Sequence, residues 1–434
     1  MRALGWEKCD IILVSADAYI DSPFMGVAVI GRVLENEGFK VGIIAQPMDE
    51  KDISKLGEPR LFWGVSGGSV DSMVSNYTAS KKFRNQDDYT PGGKNTKRPD
   101  RASIVYTNLI RRVFKNTAPI MLGGIEASLR RITHYDFWSN KLRRPLIFDA
   151  KADFILYGMS DESIVNFAKA LDGDKNVNNL RGLCYISKEP NKNYLSLPSF
   201  SSCVKDYLAF MDMFDIFYQN NDPKSAKGLC QEVDGRYLIQ NPPAPYLSKE
   251  AMDEVAALPF TLEAHPLDAQ QGEIRALETI RFSVSTHQGC YGECNFCAIS
   301  VHQGRTVRSR SEESILKEIK AFEKHPKYKG IVSDIGGPTA NMYGFECSKK
   351  LKKGVCEEKA CLFPFTCKMM PVSHEKQINL LRKIRSLSKV RKAFIASGVR
   401  YDLIEQDKAH GDLYLKEILN HHISGQMKVA PEHI

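Results

Sequence analysis

Three cysteines near residue 290 have the type and spacing to hold a metal centre. Cys290, Cys294 and Cys297 form the motif C-x3-C-x2-C, and Phe296 stands directly before the last thiol. Three thiolates can hold three irons of a cubane iron–sulfur cluster, and the fourth iron then stays open to a small chelating ligand. The motif therefore predicts a cluster that accepts a second molecule, which is the arrangement that radical chemistry on S-adenosylmethionine requires.

The same three cysteines also fit a zinc site. Structural zinc takes four tetrahedral ligands, and three cysteines with one histidine are a common set. His287 and His302 are near enough in sequence to supply the histidine. The spacing alone leaves the cluster and the zinc knuckle both open, because an isolated three-cysteine match is a hypothesis that needs structural context.

A second group of cysteines follows within an insertion at residues 345–370. Cys347, Cys356, Cys361 and Cys367 are spaced C-x8-C-x4-C-x5-C, among glycine, lysine and proline. Few apolar residues are available there to hold a loop folded, and a bound metal can supply that stability. The pattern leaves a structural zinc site, an auxiliary four-iron cluster and no metal at all as open alternatives.

Composition limits the class of protein. The chain has 434 residues, 43% of them hydrophobic and 26% charged, so we expect two or three soluble globular domains. It has no apolar run long enough to span a membrane and starts without a signal-peptide pattern, which predicts a cytoplasmic protein. In that reducing compartment its eleven cysteines favour metal binding over disulfides. The net charge of +8 is dispersed, so nucleic acid is conceivable as a partner but not indicated.

The first 190 residues alternate short apolar runs with helical patterns. This alternation predicts an α/β domain with a doubly wound parallel sheet, Rossmann- or flavodoxin-like. Glycines follow several of the runs, where ligands of such sheets bind, although they can equally form tight turns. No G-x-G-x-x-G supports a nicotinamide site. The motif D-x-H-x-x-G, in which His ligates cobalt, is also absent, and we take this as an argument against cobalamin. The runs are Asp10–Ala16, Lys40–Gln46, Leu61–Ser66, Pro119–Leu122 and Asp153–Tyr157.

Residues 191–275 read as a mixed connector to which we assign no chemistry. Residues 276–434 start a second alternating series, in which Ser309 and Glu312 form a capping box before an amphipathic helix. Repeated strand–helix units with polar residues after each strand predict a TIM-type barrel, here truncated after about four strands. The four strands are Phe282–Ser285, Ile331–Ile335, Ala393–Ser397 and Gln426–Ala430.

The polar residues that follow these four strands would meet on one rim of the barrel. They are the three cysteines, the run Asp334-Ile335-Gly336-Gly337, the run Ser397-Gly398-Val399-Arg400, and Pro431-Glu432-His433. This pattern resembles the radical S-adenosylmethionine superfamily. The resemblance implies that Cys290, Cys294 and Cys297 hold a [4Fe-4S] cluster.

The resemblance also implies contacts to S-adenosylmethionine. Phe296 fits the aromatic position beside the adenine, and Gly336 and Gly337 fit the motif whose backbone binds the methionine amino group. Ser397 and Arg400 are candidates for ribose and carboxylate contacts. Proline follows the two glycines where many members have glutamate.

Longer motifs resemble the YgiQ-type radical SAM family over nearly the whole chain. They are Arg98-Pro99-Asp100-Arg101, Gly123-Gly124-Ile125-Glu126-Ala127-Ser128, Asn241-Pro242-Pro243, Gly336–Met342 and Ser397–Asp402. This resemblance favours the cluster over zinc at residues 290–297, and it implies an electron donor such as flavodoxin or ferredoxin. It supplies neither a substrate nor catalytic side chains.

The sequence therefore predicts a radical SAM enzyme that cleaves S-adenosylmethionine to a 5′-deoxyadenosyl radical, which takes hydrogen from an unknown substrate. An RNA-modifying radical enzyme and a non-enzymatic zinc or iron–sulfur module are the alternatives. Because the chain stops directly after the fourth predicted barrel strand, we expect the isolated 434 residues to need a further segment or another chain, and to be inactive without it.

Overall fold

A computed structural model describes residues 1 and 4–430 of the chain. These residues form two compact units. The first consists of Met1–Pro245 and Glu263–Ala276, and the second of Tyr246–Leu262 and Leu277–Ile434. The division predicted at residues 190 and 275 stays a prediction. None of the helices in the described part of the chain is both long and apolar enough to cross a membrane.

The first unit alternates strands and helices along the chain. Its strands are β1 (Ile11–Ser15), β2 (Val41–Ala45), β3 (Phe62–Ser66), β4 (Ile120–Gly123), β5 (His134–Asp136), β6 (Lys141–Arg143), β7 (Phe154–Leu156), β8 (Leu183–Ser187), β9 (Leu195–Leu197), β10 (Leu229–Val233) and β11 (Arg236–Gln240). The helices before residue 245 are α1 (Gly26–Asn36), α2 (Glu50–Ser54), α3 (Ser72–Asn76), α4 (Ala102–Val113), α5 (Gly124–Leu129), α6 (Leu146–Ala150), α7 (Asp161–Asp172), α8 (Phe200–Lys205) and α9 (Tyr207–Gln219).

Nine of these strands form one sheet in the order β2-β1-β3-β4-β7-β8-β11-β10-β9. The first five are mutually parallel, and their order is that of a flavodoxin-like sheet. Strands β1 and β3 read Ile-Ile-Leu-Val-Ser and Phe-Trp-Gly-Val-Ser and are almost wholly buried, as central parallel strands must be. The predicted α/β class with a parallel sheet is confirmed. Strands β8–β11 extend this sheet, mostly by antiparallel pairing.

The chain's own side chains fill the carboxyl edge of the parallel strands. The guanidinium of Arg98 is buried there between Asp17 and Asp87, at 2.7 and 3.1 Å, and it donates to the Gly67 carbonyl at 3.2 Å. A Cβ at Gly68 would overlap the Asp17 carboxylate and lie 2.7 Å from the Arg98 Nη1. The glycine after β3 is therefore required for the close approach of this ion network.

The carboxylate of Glu126, just inside α5, joins three neighbouring helices. It accepts hydrogen bonds from the backbone N–H groups of Ser72 at 2.9 Å and Ser103 at 3.1 Å. Each of these N–H groups belongs to the first turn of a helix, where intrahelical acceptors are lacking. Glu126 therefore acts as a cap for both α3 and α4.

The described residues of the second unit contain six short strands and most of the later helices. The strands are β12 (Ser283–Ser285), β13 (His287–Gln288), β14 (Arg308–Ser309), β15 (Ile331–Val332), β16 (Asp334–Gly336) and β17 (Lys392–Ala393). The helices from residue 249 onward are α10 (Lys249–Ala256), α11 (Pro266–Ala269, in the first unit), α12 (Arg275–Ile280), α13 (Ile299–His302), α14 (Glu312–Phe322), α15 (Ser348–Lys353), α16 (Glu375–Arg385), α17 (Tyr401–Gln406) and α18 (Gly411–His421).

Four strands of the second unit pair in parallel. β12 pairs with β16, and β15 pairs with β17, while Val399 forms a parallel bridge to Val429. Apolar faces of α14, α16 and α18 pack on these strands; the shared core includes Val284, Ile335, Ile315, Ile319, Phe322, Ile378, Leu381, Ile384 and Ile418. The carboxyl ends of the paired strands therefore lie on a common edge.

Two local features differ from the sequence-based prediction. The cap of α14 is Ser311, whose hydroxyl accepts from the Ser314 N–H at 3.1 Å. The predicted cap, Ser309, instead belongs to β14, which pairs antiparallel with β13. β13 lies between the first parallel strand and the cysteines, and β14 follows them, so the cysteine loop joins β13 to β14 and does not follow β12 directly.

Candidate metal centre and cofactor site

The loop that carries the first three cysteines is fixed against residues 303–307. The N–H of Gly289 donates to the Gln303 side chain at 3.1 Å, and the N–H of Cys290 donates to the Gly304 carbonyl at 3.2 Å. Gly289 has a φ of 83°, and a Cβ there would overlap the carbonyl oxygen of Thr306. Cys290 is buried, whereas Cys294 and Cys297 are half-buried.

Gly292 leaves a small space between two of the thiols. A Cβ at this residue would lie 3.1 Å from Sγ of Cys294, 3.4 Å from Sγ of Cys290 and 3.2 Å from Nη1 of Arg400. The N–H of Cys297 donates to the Cys294 carbonyl at 2.9 Å, which keeps the third cysteine on the same turn. Soft thiolate donors around one space suit an iron–sulfur cluster, so these residues fit the predicted group.

The three thiols do not form a complete ligand set in this structure. Within residues 1 and 4–430, no three Cys, His, Asp or Glu side chains have an arrangement that could hold a metal ion. The assignment of Cys290, Cys294 and Cys297 as ligands therefore stays a prediction.

The Gly-Gly pair lies beside Ser397. A Cβ at Gly336 would lie 2.7 Å from the Ser397 hydroxyl oxygen. The carbonyl of Gly336 already accepts from the N–H of Thr286 at 2.7 Å and from its hydroxyl at 3.0 Å. Since those two bonds use both lone pairs, a cofactor amino group would have to compete for this carbonyl, and Gly337 is the less engaged of the two positions.

Asp334 holds the segment that follows β17 at this edge. Its carboxylate accepts from the hydroxyl of Ser397 at 2.6 Å and from the N–H groups of Ala396 and Ser397 at 2.8 and 3.3 Å. The predicted ribose contact, Ser397, therefore has its proton committed to Asp334 and presents only an acceptor to a ligand. Asp334 was not among the predicted contacts, although it opens the run that contains the two glycines.

Arg400 is held by two neighbours. Its guanidinium forms a bidentate ion pair with Asp402. The side chain of Asn341 accepts from its N–H at 2.8 Å and donates to its carbonyl at 2.9 Å. The structure therefore places Arg400 beside the cysteine loop rather than at a separate part of the rim.

A buried polar chain continues from Asn341. Its amide faces Nε2 of His374 at 3.1 Å, and Nδ1 of His374 faces Asp407 at 2.9 Å. Burial lowers the pKa of His374, although its hydrogen bond to Asp407 acts in the opposite direction. No local sequence pattern indicates this series of hydrogen bonds, because Asn341, His374 and Asp407 come from three separate segments.

His287 packs against the second glycine. Its ring is fully buried and lies 2.6–2.9 Å from where a Cβ of Gly337 would stand. Nδ1 contacts the Thr286 hydroxyl at 2.9 Å. Burial lowers the pKa of His287 to about 3, so the ring is neutral at pH 7. Only glycine fits at position 337 beside this ring.

Two other predicted contacts stay predictions. Phe296 is 73% exposed, so its stacking on an adenine stays a prediction. The residues Pro431-Glu432-His433 lie outside the part of the chain that the structure describes.

The second cysteine group lies next to the first. Cys290 and Cys347 belong to one buried cluster with Tyr291 and Phe345, and Cys361 packs against it. About fifty residues separate the two groups along the chain, and nothing in their spacing indicates that they touch.

The fold and the site define an α/β protein with a cysteine loop at the carboxyl edge of parallel strands. Residues 1–283 match the family described as Radical SAM N-terminal. A UPF0313 protein of Fusobacterium nucleatum subsp. nucleatum is 55% identical over 436 residues, which cover 100% of this chain and 77% of the relative. UPF0313 proteins of Methanocella arvoryzae and Thermotoga maritima are 47% and 46% identical, with 72% and 76% of their lengths covered. The chain belongs to the UPF0313 family of radical SAM proteins.

Solved structures of radical SAM enzymes resemble the chain more distantly. TsrM from Kitasatospora setae, a radical S-adenosylmethionine methyltransferase solved with cobalamin and a [4Fe-4S] cluster, is 14% identical with a TM-score of 0.44. OxsB, a cobalamin-dependent S-adenosylmethionine radical enzyme, is 14% identical with a TM-score of 0.48. The match covers 91% and 95% of this chain but only 56% and 42% of theirs.

The expectation against cobalamin needs correction. Both of these similar structures contain that cofactor. The expectation rested on the absence of D-x-H-x-x-G, which reports only histidine ligation of cobalt, so it was too weak to exclude cobalamin. At 14% identity and TM-scores below 0.5, the same structures do not assign cobalamin to this chain either.

Proposed function

We propose that this chain is a radical SAM enzyme whose cluster is held by Cys290, Cys294 and Cys297. When bound, a [4Fe-4S] cluster with S-adenosylmethionine supplies a 5′-deoxyadenosyl radical by one-electron cleavage, and this radical takes hydrogen from a substrate. Membership in the radical SAM family supports the proposal. The observation that carries it is the grouping of the Cys290 and Cys294 thiols with the Arg400 guanidinium around Gly292.

Residues of the cysteine loop and of the segment around Arg400 shape the small gap at Gly292. Gly292 lacks the Cβ that would fill it. Arg400 places a positive charge beside Cys290 and Cys294, and a nearby guanidinium favours the thiolate form that binds metal. Asp402 fixes the direction of that guanidinium, and Asn341 holds the Arg400 backbone, so the charge stays beside the thiols.

The parallel strands position the methionine and ribose ends of the cofactor. We take β12, β16 and β17 and the segment around Val429 as the first four strands of a radical SAM barrel. In such a barrel, chemistry takes place at the carboxyl ends of the strands. Gly337 offers backbone to an amino group, and the Ser397 oxygen offers an acceptor to a ribose hydroxyl. An external one-electron donor, such as a ferredoxin or a flavodoxin, would complete the system.

Anaerobic reconstitution tests this proposal. The wild-type chain should bind iron and sulfide, and its reduced EPR spectrum should change when S-adenosylmethionine is added. 5′-Deoxyadenosine should form when the chain is assayed together with the further segment or partner chain that the sequence predicts it to need. Cys294→Ser should lose the EPR change and the product. Cys203→Ser, which alters a buried cysteine of the first unit, should retain both. A wild-type spectrum that ignores S-adenosylmethionine would refute the proposal and favour a non-enzymatic module.

A further inference from the structure

The cysteine-rich insertion (residues 345–370) has little regular structure of its own. Its only helix or strand is the six-residue helix α15, and the described residues 354–370 contain neither. Buried apolar side chains in that stretch are limited to Val355, Leu362 and Met370. A segment of this length without a core of its own needs another source of stability, and a bound metal is the usual one.

The short helix α15 brings the four cysteines into one neighbourhood. Cys347 stands at its N-terminus. Lys349 Nζ donates to Sγ of Cys356 at 3.3 Å, and Lys350 Nζ lies 3.7 Å from Sγ of Cys361. The N–H of Cys367 donates to the Cys361 carbonyl at 2.8 Å, so the last cysteine folds back to the third.

Two lysine ammonium groups lie beside these thiols. Lys350 is only 2% exposed, and its ammonium lies 3.2 Å from Glu346 and donates to the Arg305 carbonyl. A lysine is buried only where it has partners. Two ammonium groups directed at cysteine sulfurs would offset the negative charge of a four-thiolate centre, and hydrogen bonds to the sulfurs are a recognised way of tuning iron–sulfur clusters.

Spacing favours a cluster over zinc. Structural zinc sites typically use pairs of cysteines separated by two to four residues. Here only the interval from Cys356 to Cys361 meets that rule, while the intervals on either side contain eight and five residues. Iron–sulfur clusters accept more varied cysteine intervals, so this spacing departs from the usual zinc pattern and is compatible with a cluster.

The insertion adjoins the first cysteine loop through Tyr291. The phenol of this buried residue donates to the Phe345 carbonyl, and the two rings lie 5.7 Å apart. The ammonium of Lys350 lies 4.6 Å from the centre of the Tyr291 ring. Tyr291 directly follows Cys290, so one residue of the first loop contacts both the backbone and the buried lysine of the insertion.

We propose that Cys347, Cys356, Cys361 and Cys367 hold a second four-iron cluster, adjacent to the centre at Cys290, Cys294 and Cys297. This site does not depend on S-adenosylmethionine chemistry. Because the two loops share one buried cluster of side chains, the two reduced clusters would lie close enough to broaden each other's EPR signals.

Metal analysis of the full chain tests this proposal. After anaerobic reconstitution, the wild type should hold about eight irons and Cys356→Ser/Cys361→Ser about four. Cys294→Ser/Cys297→Ser should also hold about four, from the second cluster alone, which separates this proposal from the proposed function. Cys203→Ser is the matched control and should keep all of the iron. The EPR broadening should disappear in either double variant.

Other outcomes would overturn the second cluster. One is stoichiometric zinc in the purified wild type that disappears in Cys356→Ser/Cys361→Ser. Another is about four irons in the wild type that persist in that variant. Far-UV circular dichroism of each variant checks folding; if the double variant is unfolded, the iron count of Cys294→Ser/Cys297→Ser decides alone, and near-zero iron there contradicts the proposal.

Discussion

Gly289 is the residue whose replacement should most directly displace the first cysteine loop. Its φ of 83° is left-handed, and an alanine in that region costs about 1–2 kcal/mol. Its Cβ would also overlap the Thr306 carbonyl oxygen and lie 3.0 Å from the carbonyl carbon. Backbone atoms cannot rotate away as a side-chain end can, so relief requires the loop to move, and overpacking of this kind costs about 1–3 kcal/mol.

We therefore expect Gly289→Ala to lower the free energy of unfolding by about 2–5 kcal/mol, the sum of both effects. Gly425→Ala is the matched control in the same unit, because Gly425 also has a positive φ, of 153°, but no atom lies within 4 Å of its Cβ position. Urea unfolding followed by circular dichroism should separate the two variants by about 1–3 kcal/mol. Iron bound per chain should fall in Gly289→Ala alone.

Equal unfolding midpoints for the two alanine variants would refute this reasoning. The same holds if Gly289→Ala binds iron like the wild type, because the displaced backbone carries Cys290 with it.

Three further predictions concern single polar groups. Burial lowers the pKa of His287 to about 3 in the folded chain, against an ordinary 6.5, so the stability that the neutral ring contributes is complete above pH 6.5 and falls on acidification. Between pH 7 and 5 the metal-free chain should lose about 2 kcal/mol of unfolding free energy from this group. Urea titration at the two pH values should show a correspondingly smaller loss for His287→Gln. Asp334→Ala removes three hydrogen bonds to the segment that follows β17 and should lower the free energy of unfolding by about 2–4 kcal/mol in the same assay. A loss smaller than that of one hydrogen bond would contradict the positioning role of Asp334. Glu126→Gln leaves one buried N–H without an acceptor and should cost about 1–3 kcal/mol. Urea unfolding followed by tryptophan fluorescence measures this cost, because all three tryptophans lie in the first unit; an unchanged midpoint would show that the double cap is not needed.

Local pattern was sufficient to predict the five parallel strands of the first unit. Residues 10–16 and 61–66 are continuous apolar runs, and such runs have few alternatives to a buried parallel strand. The same reasoning did not predict β9, β10 and β11, because these strands mix polar and apolar residues. β10 and β11 form a local hairpin, but their other partners, β9 and β8, come from more distant segments. The cap of α14 was misplaced for a related reason, since the pairing of Ser309 with His287 is a long-range contact.

The sequence by itself determined the donors of the candidate site: the identity and spacing of Cys290, Cys294 and Cys297, and the four cysteines of the insertion. These are covalent facts, and ligand chemistry follows from them directly. Only the tertiary structure decided which groups surround those donors. Arg400 beside Gly292, Ser397 beside Gly336, and Lys350 over Tyr291 each join segments tens of residues apart. Such neighbours depend on how strands and loops pack, and no local period or spacing in a single chain records that packing.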